Sequence, residues 1–285
     1  MKAADAWPTV LGMISVVVLT YNDPCRLRLC LHSLLRQTRT DFELVVVHDG
    51  GDRQINEPVY AEMRRHGRDI AELWLGPEST EFRAAAARNL GLRHAHGERV
   101  LFVDGDSILA PNVVAAHASY GSDPVLVNGA RKHLPQSCLA WLQPRLFDQL
   151  EPHVIGRDQR HESERWVYRR LQARLAKGET VVPLDHYEQV WGFQFSVPAR
   201  QARQIGGLNE EFVGYGGEDQ EFAARLKRAG VSLLGRFDVI CYHLDHPSRA
   251  GDRVWTEWMI DRFQQSVRRR DPVRNGGALA EPTDS

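Results

Sequence analysis

The 285-residue chain has no Cys-x-x-Cys spacing. Its four cysteines, Cys25, Cys30, Cys138 and Cys241, are scattered, which argues against a zinc site or disulfide framework and fits a reducing compartment. Charge of one sign is also missing: 36 basic residues stand against 37 acidic ones, so there is no basic footprint for nucleic acid. Any phosphate site must be local. Long apolar runs are absent too. The longest near the start, Met13 to Leu19, is too short for a bilayer and has no signal-cleavage pattern behind it. A cytoplasmic protein without a transmembrane segment is expected, with a peripheral contact at the inner face of a membrane left open.

With 42% hydrophobic residues, the chain can bury a sizeable core. Short apolar runs alternate with amphipathic stretches through the first half, as in βαβ units on a largely parallel sheet. Met13 to Leu19 reads as the first strand and "CRLRLCLHSLLRQ" as a helix, with Leu27, Leu31, Leu34 and Leu35 at helical spacing. "ELVVVHDGG" and "IAELWL" read as the next two strands. Ser79 to His94 predicts a helix closing at Gly97, "RVLFVDGD" a fourth strand, and Pro111 the first turn of another helix. From His133 to Tyr187 a polar, Arg- and His-rich elaboration is expected, with helices around "CLAWLQPRLFDQL" and "SERWVYRRLQARLAKG". Two short runs, "VSLLG" and "FDVICYHLDHP", follow the stretch "GYGGEDQEFAARLKRAG". The ends, 1–12 and 271–285, read as mobile tails around one domain spanning 13–270.

Ligands of open α/β sheets bind beyond the carboxyl ends of the strands. Three groups sit there: Thr20, Tyr21 and Asn22; His48, Asp49 and Gly50; Asp104, Gly105 and Asp106. Two carboxylates that close stay ionised together only if a cation offsets their repulsion. A hard divalent metal shared with substrate phosphates is the natural partner, and Gly105 leaves room for a ligand. The plainer alternative is a turn that caps the helix near Pro111. In "GYGGEDQEF", glycines at 214, 216 and 217 permit close backbone approach, and Glu218 and Asp219 open a helix whose positive end favours ionised acids. Such a carboxylate can act as general base. His243 in "CYHLDHP" could complete a metal site or be a histidine held by Asp245.

The ordered set "SVVVLTYND", "ELVVVHDGG", "AAARNLGLRHAHGE", "VLFVDGDSIL", "IGGLNEEFVGYGGEDQEFAARLKRAG" and "YHLDHP" resembles family 2 nucleotide-sugar glycosyltransferases of the GT-A fold, over Ser15 to about His246. The carboxyl half is also similar to galactosyltransferase and N-acetylgalactosaminyltransferase carboxyl-terminal regions. The resemblance implies a mixed, mostly parallel α/β sheet flanked by helices, with a nucleotide-binding half (13–130) and an acceptor-binding, catalytic half (131–270). It implies inverting transfer from a UDP-sugar to a carbohydrate or other hydroxyl acceptor, with Mn2+ or Mg2+.

By the same resemblance, Thr20, Tyr21 and Asn22 line the nucleotide pocket and Asp49 meets the base. Arg88 and Asn89 sit near the base, diphosphate or donor sugar. Asp104 and Gly105 approach ribose or sugar, while Trp191, Gly192, Phe193 and Gly217 lie at the donor sugar or acceptor. Asp106 and His243 hold the metal; Asp219 is the base, and Glu218 binds hydroxyls. His48-Asp49 departs from the frequent acidic pair.

Three rivals remain: a haloacid-dehalogenase-type phosphatase with Asp104 as nucleophile, a retaining transferase, and a carbohydrate-binding or scaffolding protein that kept the fold without turnover. Arg157, Arg160, Arg165, Arg169, Arg170 and Arg174 read as a solvated helix face. Trp255, Trp258, Met259 and Phe263 read as core-packing, with a homodimer surface or membrane contact as alternatives.

Overall fold

The computed structural model describes residues 10–52, 54–76, 82–150, 174, 176–214, 216–246 and 257–268. The expectations for residues 1–9 and 271–285, for most of the helix at 163–178 with Arg157 to Arg170, for Trp255, and for the side chains of Trp258 and Met259 lie outside the described residues. A nine-stranded sheet runs through the described residues in the order β3-β2-β1-β4-β8-β6-β9-β5, with β7 paired to β9. The strands are β1 Val10–Thr20, β2 Glu43–His48, β3 Ala71–Trp74, β4 Gly97–Asp104, β5 Ser107–Leu109, β6 Val125–Leu134, β7 Val181–Pro183, β8 Gln194–Pro198 and β9 Ser232–Leu244. The helices are α1 Pro24–Leu35, α2 Glu57–Arg65, α3 Ala84–His94, α4 Val113–Ala118, α5 Ala199–Gln204, α6 Glu218–Arg228 and α7 Glu257–Arg268.

β1, β2, β3 and β4 pair in parallel. Because side chains alternate along a strand, Val16 and Val18 of β1 pack with Leu27, Leu31 and Leu34 of α1, whereas Val17 and Leu19 pack with the alanines of α3 and Phe222 of α6. Both faces of the sheet are thus covered, and the strands read as unbroken apolar runs. Gly91 lets α3 approach closely, since a Cβ there would lie 2.3 Å from Val17 Cγ1. At β8 the sheet turns antiparallel to β4 and β6, and β6 pairs in parallel with β9.

Several boundaries differ from the sequence expectation. β1 begins at Val10, because Val10 N–H bonds His96 O and the strand follows β4 from Gly97 onward. α3 ends at His94, and Gly97 opens β4, where a Cβ would meet Ser15 N at 2.6 Å. The runs "VSLLG" and "FDVICYHL" form one strand, β9, whose pairing slips between Gly129 and Ala130 so that Phe237, Asp238 and Val239 bulge out. Between Asp106 and α4 lies the short strand β5, so the Asp-Gly-Asp turn leads into the sheet and caps no helix. "CLAWLQPRLFDQL" forms two 3-10 helices, Gln136–Ala140 and Pro144–Gln149, over a third apolar cluster with Ile108, Ile240 and Tyr242.

Candidate active site

The carboxyl ends of β1, β2 and β4 lie along one edge, which carries Thr20, His48 and Asp104. β5 pairs antiparallel with β9, setting Ser107 opposite His243, and Leu244 N–H bonds Asp106 O at 3.0 Å. This return brings Asp106 to the end of β9. Its Oδ1 lies 3.0 Å from His243 Nδ1 and its Oδ2 3.0 Å from His246 Nε2. Ligand atoms of Asp106, His243 and His246 all fall within 4.8 Å of one another. Burial opposes ionisation of Asp106, yet the two imidazoles hold its carboxyl far below the usual range. Beside them, His133 Nδ1 lies 2.7 Å from Asp245 Oδ1, and the His133 ring meets His243 edge-on.

A second group converges from the other side. Gly217, at φ +93°, starts α6 and points Glu218 and Asp219 back toward the strand ends. Arg88 Nη1 donates to Glu218 Oε1 at 2.9 Å, and its Nη2 donates to Asp104 Oδ1 at 3.2 Å and Gly192 O at 3.0 Å. Asp219 Oδ2 accepts from Gly192 N at 2.6 Å. Burial and the adjacent Glu218 raise the Asp219 carboxyl to about 7, with Arg88 acting in the opposite direction. Asp104 is raised to about 6, chiefly by burial, with Arg88 again opposing and Asp106 adding to the rise.

Not every expected residue joins these groups. Asn89 is buried and spends its side chain on Leu208 and Glu210, pinning α3 to the loop before α6. Asn22, at φ +44°, accepts from Asp52 N and braces the loop after β2. Asp49 accepts from both the backbone N and the Nε of Arg83, whereas His48 turns inward to Tyr60. Trp191 is held through its backbone by Asn128, which fixes the 191–194 segment. Gly105 has a different reason from the one expected: a Cβ would come 2.6 Å from Leu19 O, so the glycine admits the neighbouring strand.

Sequence reasoning missed His246, His133 and Arg131. Arg131 stacks on Phe193, 4.7 Å from the ring centre, and its charge reaches Asp104. Strand alternation in "GARKHL" would have put Arg131 and His133 on one face. The His243-x-x-His246 spacing was equally visible.

Residues 15–169 match the model of glycosyl transferase family 2, more than half the chain. The chain belongs to that family. Residues 174–247, a stretch that includes β7, β8, α5, α6 and β9, match a second model described as the N-terminal domain of galactosyltransferase. Validoxylamine A glucosyltransferase from Streptomyces hygroscopicus subsp. jinggangensis is 29% identical over 233 residues, covering 78% of this chain and 53% of that one. Chondroitin synthase from Escherichia coli is 26% identical over 96% of this chain and 42% of that enzyme. This family 2 chain therefore spans about half the length of the curated relatives it matches or less. GalNAc-T7 with UDP, GalNAc and Mn2+ superposes with a TM-score of 0.63 at 15% identity, covering 90% of this chain and 48% of that one, which shows the GT-A fold. The phosphatase alternative falls with this membership. Among the described residues, no helix is long and apolar enough to cross a membrane.

Proposed function

We propose that this chain transfers a sugar from a uridine-diphosphate sugar to an acceptor hydroxyl with inversion, using Asp219 as general base. The observation that carries it is the Asp106, His243 and His246 cluster at the sheet edge, joined through Asp104 and Arg88 to the head of α6, where Asp219 is held by Gly192 N–H. The names of the relatives, validoxylamine A glucosyltransferase and chondroitin synthase, support sugar transfer.

One carboxylate and two imidazoles whose donor atoms converge fit Mn2+ or a similar divalent ion. Such an ion, when bound, would offset negative charge on the departing diphosphate. Thr20, Tyr21 and Asn22 line the nucleotide pocket, Asp49 with Arg83 faces the base, and Asp104 approaches the ribose or donor sugar. Ionised Asp219 accepts the acceptor's hydroxyl proton as its oxygen bonds the anomeric carbon from the face opposite the diphosphate. The carbon–oxygen bond to the diphosphate breaks, and UDP departs with that electron pair. Gly192 N–H holds one Asp219 oxygen in place, and Glu218 binds hydroxyls nearby. In this scheme residues 13–130 form the donor half and 131–270 the acceptor half.

The test is a thermal-shift panel of UDP, GDP and several UDP- and GDP-sugars with and without Mn2+, followed by UDP release with saccharide acceptors and determination of the product anomer. A manganese-dependent rise with uridine nucleotides and an inverted product are expected. A retained configuration would overturn the base role of Asp219.

A further inference from the structure

Arg88 sits where the family likeness implies a donor contact, yet its surroundings point elsewhere. It rises from the middle of α3, between Ala85, Ala87 and Asn89, and is only 2% exposed. Its two terminal nitrogens reach three separate segments: Asp104 at the end of β4, Gly192 before β8, and Glu218 at the head of α6. Its Nε has no partner among the described residues, an unfavourable state for a buried donor that this bridging geometry imposes. Gly192 faces both Arg88 and Asp219, with its C=O accepting from Arg88 and its N–H donating to Asp219. A Cβ at Gly192 would lie 2.7 Å from Arg88 Nη2 and 3.2 Å from Asp219 Oδ2, so no side chain fits between them. For a diphosphate to reach the guanidinium it would have to displace Asp104 or Glu218.

We propose that Arg88 is a positioning residue: it locks the Asp104 turn, the Gly192 segment and the head of α6 into one frame around Asp219, and does not touch the donor. The role rests on Asp219 being the base. It also explains why three acids can crowd one site: a single fixed, buried cation lies among Asp104, Glu218 and Asp219. The charged groups acting on Asp219 are Glu218 from its own helix and Arg88 from α3, with Asp104 beyond Arg88 on β4.

Two variants separate charge from geometry. Arg88→Lys keeps a cation that cannot bridge three segments, and Arg88→Met removes it. Isothermal titration with UDP and Mn2+ reads the donor site, and carbon NMR titration of the Asp219 carboxyl reads the field of Arg88. In Arg88→Lys, whose ammonium still pairs with Asp104, UDP affinity should stay within about threefold of wild type. The Asp219 midpoint should rise by about one pH unit or more in Arg88→Met and change little in Arg88→Lys, while UDP-sugar turnover by Arg88→Lys falls at least about tenfold. Should Arg88→Met not fold, Arg88→Lys still decides through unchanged affinity and reduced turnover. A loss of UDP affinity of about tenfold or more in Arg88→Lys, or an unmoved Asp219 midpoint in folded Arg88→Met, overturns the proposal. Turnover surviving in Asp219→Asn would instead sink the base assignment while leaving the binding result for Arg88 intact.

Discussion

Replacing Asp219 by Asn keeps the side chain's shape and removes its capacity to take a proton. In the wild type one carboxylate oxygen accepts from Gly192 N and the other from Gln220 N. An amide can accept at only one of these, so one backbone N–H loses its acceptor, at about 1–3 kcal/mol. The chemical loss is larger. A positioned base contributes about 10²- to 10⁴-fold, or roughly 2.7–5.5 kcal/mol of barrier. With the carboxyl at about 7, about half the wild-type molecules are ionised at that pH and about a tenth one unit lower. The wild-type kcat should therefore rise about tenfold per pH unit up to about 7 and then level off. UDP release and product formation across that range, for both proteins, provide the assay. An Asp219→Asn variant retaining more than about a tenth of the rate would refute the reasoning, as would an acid limb near the free-carboxylate value of about 4. Linkage adds a check with a defined sign. The folded carboxyl lies above its ordinary 3.8, so its stabilising contribution is complete below that value and is lost as pH rises through about 7. The Asp219→Asn variant lacks that dependence, and the Tm difference should move in its favour between about pH 5 and about pH 8.

Other perturbations have equally definite outcomes. His246→Ala should weaken Mn2+ binding, read by electron paramagnetic resonance, by at least the roughly 10- to 100-fold that loss of a mere supporting contact costs, with the fold unchanged by circular dichroism. Gly105→Ala forces a Cβ against Leu19 O and should lower stability by about 1–3 kcal/mol in urea titration, with a matching loss of metal affinity. Glu221→Ala strands Arg225, buried and bonded to Glu221, Ile205 and Gly207, and also removes the acceptor for Ser266 Oγ of α7. A loss of about 3–5 kcal/mol is expected in denaturant unfolding.

The chain's own pattern determined the strands β1, β2 and β4, because apolar β-branched runs covered on both faces leave no other solution. It likewise marked the acids at the ends of β4 and at the start of α6, since strand ends and helix starts are local events. Tertiary structure alone decided which of those residues meet. Asp106 faces His243 because β5 folds back onto β9, bringing together two side chains 137 residues apart, and no local pattern encodes it. Asn89 and Arg88 are adjacent in sequence, yet helix geometry turns one to the 208–210 loop and the other under the carboxylates. A reader of the sequence sees which charges the chain carries; only the packed sheet fixes which of them share a pocket, because a buried charge is tolerated only where its partners arrive from elsewhere in the chain.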